Sequence, residues 1–267
     1  MSAPRPGSIA RSASRPTGAP PPRRCAIRGA VHTDQGSTAL GSDLLATAAN
    51  DARELDKPRR EAWALAFLGR VQLLREEWDA ARRSLERSID IARAASWVAF
   101  LPFPQALLAT VDLAVGRVDH ARDAFESAFA LGCQIGDPCW EGLAARGVGL
   151  VHWLRGRPED AIAWLEDART RCVRIPDSYL WVQAYCLDAL CEVAIDVGNA
   201  LAGAWVADLE TMAARSGMYE LLVRADLHRA VMGDRQAGEA ARLFASRIDN
   251  PAVLERIESL DLTAVAV

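Results

Sequence analysis

The residues with the greatest chemical potential are the six cysteines, and their spacing decides what they can do. No two of them form a CxxC pair, and Cys186 and Cys191 are five residues apart, which places them on different sides of a helix. Zinc sites need Cys and His ligands at short, clustered spacings. The pattern therefore predicts buried free thiols and no metal site. The cysteines are Cys25, Cys133, Cys139, Cys172, Cys186 and Cys191.

The histidines and carboxylates form no recognisable catalytic motif. Glu159 and Asp160 are adjacent, but they stand at the predicted start of a helix, where the helix dipole favours negative charge. His120 is expected to face water, and His152 is expected to pack at a repeat junction. The sequence contains no GxSxG, no HExxH and no GxxxxGK[ST] pattern. We therefore predict no catalytic residues, no cofactor and no enzymatic activity.

Charge and hydropathy exclude two further classes of function. The net charge is −4, but six arginines precede residue 40 against one acid, Asp34, so the remainder of the chain is acidic. An acidic body is not expected to bind nucleic acid directly. No apolar run approaches the ~20 residues of a membrane-spanning helix. We expect a cytoplasmic protein without membrane contact and with its free thiols reduced.

A 40-residue repeat organises the chain. Small residues recur every 40 positions on the second helix of successive helical pairs, with a bulky residue four positions later and a small residue seven positions later. On the first helices, Gly69, Ala109 and Gly149 recur at the same step. Small side chains allow two helices to cross closely, and the bulky one fills the adjacent gap. The three columns are Ala81, Ala121 and Ala161; Leu85, Phe125 and Leu165; and Ser88, Ala128 and Ala168.

The turns carry the residues that end one helix and begin the next. Gly156 suits the left-handed position after a helix, and Pro158 suits the first position of the following helix. Gly136-Asp137-Pro138 combines a helix stop, an N-cap and a first-turn proline. Copies after residue 177 are less regular, as is usual for terminal repeats.

Three segments follow from this pattern. Residues 1–40 are rich in Pro, Ser and Arg and are predicted to be a disordered tail; residues 41–250 form the repeat domain; residues 251–267 form a short helix and a frayed tail. The opening helix, Leu44–Leu55, has no predicted partner before it. Our hypothesis is therefore that the chain is a truncated product of a longer repeat protein.

These columns resemble the tetratricopeptide repeat (TPR), whose usual period is ~34 residues. The longer period and the Gly-Asp-Pro links are similar to the helical-repeat regions of large actinobacterial LuxR-type regulators and their signal-transducing ATPase relatives. The resemblance covers residues 42–250 and implies an all-α, right-handed superhelix of about five hairpins. Because the phosphate-binding motif is missing and few residues follow 250, ATP hydrolysis and DNA binding are not carried over.

A superhelix of this kind has a concave face lined by the first helix of each pair. Its polar, non-packing positions form a predicted groove for a protein or peptide partner, although a solvated helix face would show the same pattern. The alternative is a sensor module that closes around a small molecule. The tryptophans are expected to fill gaps between repeats, and self-association through the end repeats is plausible. The predicted groove residues are Arg70, Arg146, Asp188, Glu192 and Arg224.

Overall fold

The structure is a computed structural model that describes residues 22–174 and 179–260. Within those ranges all regular structure is helical, and the predicted all-α superhelix of TPR-like hairpins is confirmed. Six hairpins, α1/α2 to α11/α12, precede a last helix α13, where about five hairpins were predicted. The helices are α1 Pro22–Asp34, α2 Thr38–Glu54, α3 Pro58–Leu74, α4 Trp78–Ala94, α5 Pro102–Ala114, α6 Val118–Ile135, α7 Pro138–Leu154, α8 Pro158–Cys172, α9 Leu180–Asp196, α10 Ala202–Ser216, α11 Tyr219–Val231, α12 Arg235–Phe244 and α13 Pro251–Glu258.

The N-terminal boundary of the helical domain differs from the prediction. A disordered tail was predicted for residues 1–40, but α1 and the start of α2 occupy residues 22–34 and 38–40. Residues 1–21 of that predicted tail lie outside the described residues, as do residues 261–267 of the predicted C-terminal tail. The helix predicted to lack a partner is the second helix of the α1/α2 hairpin. The hypothesis of a truncated chain was based on the missing partner of this helix. Because α1 is that partner, the basis for the hypothesis is removed.

The prediction of a tail through residue 40 fails because α1 packs through small side chains. Cys25 and Ala26 are buried in the core that also contains Leu45 of α2. A Cβ atom on Gly29 would lie 2.7 Å from the Leu45 Cγ atom, so the two helices cross where a side chain is missing. A segment that is poor in large apolar residues can therefore still form a helical hairpin through close packing of small side chains. The prediction of a tail, which was based on composition, did not take such packing into account.

The columns that recur every 40 residues are packing positions, as predicted. A Cβ atom on Gly69 would lie 2.6 Å from the Leu85 Cγ atom, and one on Gly149 would lie 2.8 Å from the Leu165 Cγ atom. The first and second helices of these hairpins are therefore in near-backbone contact. All nine column residues of the second helices are 0% exposed: Ala81, Leu85, Ser88, Ala121, Phe125, Ala128, Ala161, Leu165 and Ala168.

The link between α6 and α7 has the predicted conformation. Gly136 adopts the left-handed conformation, with φ of 74°. The Asp137 carboxylate accepts hydrogen bonds from the backbone N–H groups of Cys139 at 3.0 Å and Trp140 at 3.2 Å. Pro138 occupies the first turn of α7. This short link ends one hairpin and begins the next within three residues.

The C-terminal segment returns to the first hairpins. The Asp249 carboxylate accepts hydrogen bonds from the backbone N–H of Thr38 at 2.5 Å and of Ala39 at 3.2 Å, so it caps α2 from a distant part of the chain. The Asn250 side chain is fully buried and donates to the carbonyl oxygen of Leu74 at 2.9 Å. These contacts place α13 beside the inner helices. We call this set of contacts, made by residues 249 and 250, the closing contact.

Replacing Gly149 with alanine tests the close crossing of α7 and α8. The new methyl group would lie 2.8 Å from Leu165 Cγ and 3.1 Å from the Ala161 carbonyl oxygen. We expect Gly149→Ala to lower the free energy of unfolding by about 1–3 kcal/mol, as measured by urea denaturation. Gly203→Ala is the matched control: only Met232 Cε approaches it, at 3.6 Å, so alanine should stabilise α10 by up to about 1 kcal/mol. Equal stability of the two variants would contradict the crossing.

Asp249→Ala tests the closing contact. Loss of the cap is expected to cost about 1–2 kcal/mol and to accelerate amide hydrogen exchange in both the first turn of α2 and α13. Asp234→Ala is the control, because Asp234 caps α12 from within its own turn, through Gln236 and Ala237. That variant should accelerate exchange in α12 and at the end of α11, where Arg229 pairs with Asp234 at 2.6 Å, and leave α2 and α13 unchanged. If amide hydrogen exchange in Asp249→Ala is accelerated in α2 but not in α13, the closing contact does not hold α13 in place.

Candidate functional site

The inner surface of the superhelix contains one elongated cavity of about 430 Å³. Residues from α3, α5, α7, α9 and α11 line it together with Trp78 at the start of α4, and Ala252 and Arg256 of α13 form a further wall. The first helix of each of these hairpins therefore faces inward, as the repeat pattern predicted. Its volume lies within the range of ordinary ligand sites. Much of the wall is aliphatic, from Leu73, Leu107, Leu113, Leu143, Leu150 and Leu154.

The structure brings all five predicted groove residues to this cavity. Arg70 lies on α3, Arg146 on α7, Asp188 and Glu192 on α9, and Arg224 on α11. Two of the five pair with each other, since Arg224 of α11 lies 3.4 Å from the Asp188 carboxylate of α9. Whether these residues bind a partner stays a prediction.

Arg70 lies buried at the aromatic end of the cavity. Its Nη2 atom is 2.5 Å from the Asp34 carboxylate of α1, and its guanidinium lies over the rings of Trp181 at 4.2 Å and Tyr185 at 5.2 Å. Burial lowers the pKa of Arg70, but the charge of Asp34 and the contact with Tyr185 outweigh it, so the pKa is raised. The side chain is therefore a fixed cation. Asp34 falls within the segment predicted to be a tail, so this ion pair was not predicted.

Asp188 and Arg224 form the charged centre of the cavity. The Asp188 carboxylate lies 3.4 Å from Arg224 Nη1 and 2.9 Å from His228 Nε2. Arg224 also contacts Glu220 at 3.1 Å. Burial alone would raise the pKa of Asp188, but Arg224 and the hydrogen bond from His228 hold it below its usual range. Sequence reasoning missed His228, although it lies 40 residues after Asp188, one repeat step along the chain.

Arg146 and Glu192 form no ion pair with a described residue, although the charge of Arg146 helps to lower the pKa of Asp188. Arg146 is partly exposed, and its Nε atom donates to the carbonyl oxygen of Tyr185 at 3.0 Å, a neutral acceptor. No carboxylate within residues 22–174 and 179–260 forms an ion pair with it. The Glu192 carboxylate is partly exposed and has neither a hydrogen bond nor an ion pair with any described residue. Glu76 and Arg256, which also line the cavity and are exposed, likewise form no ion pair with a described residue.

Three tryptophans line the cavity: Trp78, Trp153 and Trp181. The expectation that tryptophans fill gaps between repeats holds for Trp140, which stacks on Phe103 with ring centroids 4.6 Å apart. This expectation is incomplete for Trp78, Trp153 and Trp181, because these three side chains also line the cavity. Tryptophans therefore both pack between repeats and line the cavity.

The other chemically active residues have structural partners. His120 is mostly exposed, as predicted, but its Nδ1 atom lies 2.7 Å from the buried Asp112 carboxylate. Burial raises the pKa of Cys139 to about 11, so this thiol is protonated at neutral pH. No group of His, Cys, Asp and Glu within the described part of the chain could hold a metal ion. No helix there is long and apolar enough to span a membrane.

No protein-family model and no curated protein matches the chain. Solved structures do match. A Rap protein in complex with the competence and sporulation factor superimposes with a TM-score of 0.72 at 16% identity, over 88% of this chain and 66% of that one. The Rap conjugation gene regulator of plasmid pLS20, in complex with the Phr* peptide, gives 0.64 at 14% identity, over 88% of this chain and 71% of that one.

A third structure is a Signal Transduction ATPase with Numerous Domains protein from Pyrococcus horikoshii, which carries a tetratricopeptide repeat sensor. It gives a TM-score of 0.51 at 13% identity, over 91% of this chain and 38% of that one. At these identities the likeness shows the fold, a TPR-like helical repeat. The resemblance to actinobacterial LuxR-type regulators stays a prediction.

The low pKa of Asp188 predicts a pH dependence of definite sign. Because the folded-state pKa lies below the unfolded value, the ionised carboxylate stabilises the fold above about pH 4, and this stabilisation is lost as the pH falls further. We expect Asp188→Asn to be about 3 kcal/mol less stable at neutral pH and to lose less stability on acidification than the wild type. Thermal unfolding across this pH range measures both effects. Asp123→Asn, which removes an exposed carboxylate paired with Arg122, is the control and should change little.

Proposed function

We propose that this chain is a non-catalytic binding module whose concave cavity holds a short peptide segment of a partner. The observation that carries the proposal is the combination of an aliphatic wall with two charged side chains of opposite sign, Arg146 and Glu192, that form no ion pair with a described residue. A peptide supplies apolar side chains, backbone hydrogen-bonding groups and charges of both signs. A single cavity of this composition therefore suits an extended or helical peptide.

Two structural neighbours support this proposal. The pLS20 Rap regulator was solved with the Phr* peptide, and it shares the helical-repeat fold over 88% of this chain. The Pyrococcus protein carries its repeats as a sensor beside an ATPase. We infer that this chain is related in role to the repeat parts of bacterial regulators. Its acidic body makes a protein partner, rather than DNA, the expected ligand.

A small-molecule sensor is the second candidate, and the walls of the cavity favour it. Ala252 and Arg256 of α13 add a side to the cavity that the repeats alone would leave open. A volume of about 430 Å³ also suits a metabolite. Thermal-shift measurements separate the two candidates. Stabilisation by a metabolite, with no retention of peptides, would favour the sensor.

The double variant Arg146→Ala/Glu192→Ala tests the peptide site. We expect the wild-type protein, immobilised and offered a pool of random-sequence hexapeptides, to retain a subset of them. The double variant should retain that subset at least about a hundredfold more weakly, because two charged contacts worth about 1.5–3 kcal/mol each are lost. Arg83→Ala/Glu126→Ala removes the same two residue types from exposed positions of α4 and α6 and should retain peptides normally. Unchanged retention in the first variant would refute the site.

A further inference from the structure

Three buried thiols meet where the fourth hairpin, α7/α8, packs on α9. Cys139 lies on α7, Cys172 is the last residue of α8, and Cys186 lies on α9. All three are free and 0% exposed. They lie around Gly142 of α7, where a Cβ atom would be 2.5 Å from the Cys172 Sγ atom. The missing side chain of the glycine therefore leaves the space that the sulfur fills. We call these three cysteines the thiol junction.

Within the thiol junction, Cys172 and Cys186 form a pair. The Cys186 thiol donates to the carbonyl oxygen of Gly142 at 3.6 Å, so both sulfur atoms lie against the same glycine. The contact with Cys186 is also the largest cause of the raised pKa of the Cys172 thiol. The sulfur of Cys139 has a different partner, because it accepts a hydrogen bond from the backbone N–H of Tyr179 at 3.4 Å. The structure therefore brings together two thiols from two successive hairpins.

The surroundings of this pair favour a neutral product. Both thiols lie in the hydrophobic core, where an isolated charge is costly. Metal ligation requires deprotonated thiols, and no group of three or more His, Cys, Asp and Glu side chains in residues 22–174 and 179–260 could hold a metal ion. A disulfide, in contrast, replaces two neutral thiols with one neutral bond. Oxidation to a disulfide is therefore the reaction that suits the pair.

Two features make the pair reachable by an oxidant. One torsion angle, χ1, positions each cysteine sulfur, so sulfur atoms already in contact approach the about 2.0 Å of an S–S bond by rotation of the side chains. Cys172 is the last residue of α8, and helix ends open more readily than helix centres. In the closed structure the thiol is protonated and unreactive. A small uncharged oxidant reaches its sulfur when the end of α8 opens.

We propose that Cys172 and Cys186 are an oxidative modification site at which a peroxide forms a disulfide. The Cys172 thiolate, exposed by local opening, attacks one oxygen of hydrogen peroxide; the O–O bond breaks, and Cys172 becomes a sulfenic acid. The leaving hydroxide takes up the proton that the thiol released. The Cys186 sulfur then attacks the sulfenic sulfur, the S–O bond breaks, and the hydroxyl group leaves as water with the Cys186 proton. The two sulfurs lose two electrons, and the peroxide is reduced to two molecules of water.

The new bond joins two successive hairpins. Cys172 belongs to the fourth hairpin and Cys186 to the fifth, α9/α10, so the disulfide closes a loop of 15 residues, 172–186, across the link between them. Such a loop constrains the unfolded chain and thereby stabilises the folded one. The residue before Cys186 is Tyr185, whose carbonyl oxygen accepts a hydrogen bond from Arg146 of α7. Oxidation therefore fixes α9 against the fourth hairpin beside the wall of the cavity.

Peptide mapping of the full chain after treatment with hydrogen peroxide tests the site. With the remaining thiols blocked before digestion, we expect mass spectrometry to find a Cys172–Cys186 linked peptide pair that dithiothreitol removes. The same treatment should raise the Tm by about 5–10 °C, and dithiothreitol should reverse the increase. A linked pair that contains Cys139 in place of either residue, or oxidation of the exposed Cys133 alone, would overturn the assignment.

Cys172→Ala and Cys191→Ala are the matched variants. Each removes a cysteine that is 0% exposed, but Cys191 lies five residues after Cys186, on a different side of α9. Peroxide should raise the Tm of Cys191→Ala as it does for the wild type and should leave the Tm of Cys172→Ala unchanged. Thermal unfolding in dithiothreitol shows that both variants are folded before oxidation. If Cys172→Ala does not fold, the peptide map of the wild type decides the assignment by itself.

Two results would contradict the proposal even if a linked pair is found. An equal rise in the Tm of Cys172→Ala would show that the stabilisation comes from another oxidised residue. A wild-type protein that carries the Cys172–Cys186 bond without any rise in Tm would show that the bond does not hold the two hairpins together.

Discussion

The close crossing of the two helices within each hairpin is the constraint on which the rest of the structure depends. Where Gly69 and Gly149 meet the second helix, a leucine Cγ atom occupies the place where a side chain would otherwise begin. Such crossings fix the distance and angle between paired helices. Repeating the same crossing every 40 residues stacks the hairpins with a constant offset, which curves the array and turns the first helices inward. The cavity is a consequence of that curvature.

The sequence predicts these local features well because they depend on short spacings. Helical periodicity also predicts the direction in which a side chain points, so all five groove positions were placed on the inner face. Helical periodicity does not predict which charged side chains form ion pairs, because those contacts depend on the curvature of the whole array. Arg70 pairs with Asp34 of the preceding hairpin, and Thr38 is capped by Asp249, 211 residues away. Such contacts have no signature in local spacing.

Buried charge is used in two different ways along the same cavity. Asp188 is surrounded by Arg224 and His228, and the network is satisfied by the protein itself. Such a network fixes the positions of α9 and α11 and adds little net stability. Arg70 is only partly satisfied, and the aromatic faces of Trp181 and Tyr185 compensate it through cation–π contacts. The first arrangement is satisfied by hydrogen bonds and ion pairs, whereas the second relies in part on aromatic ring faces.

The satisfied network also links the cavity to the closing contact. Asn250 donates to the Leu74 carbonyl oxygen and, at 3.0 Å, to Glu220, which in turn holds Arg224 beside Asp188. The C-terminal segment, the end of α3 and the centre of the cavity are therefore joined by consecutive hydrogen bonds. Residue 250 therefore also fixes Arg224 in the cavity wall, because its side chain holds the Glu220 carboxylate that pairs with Arg224.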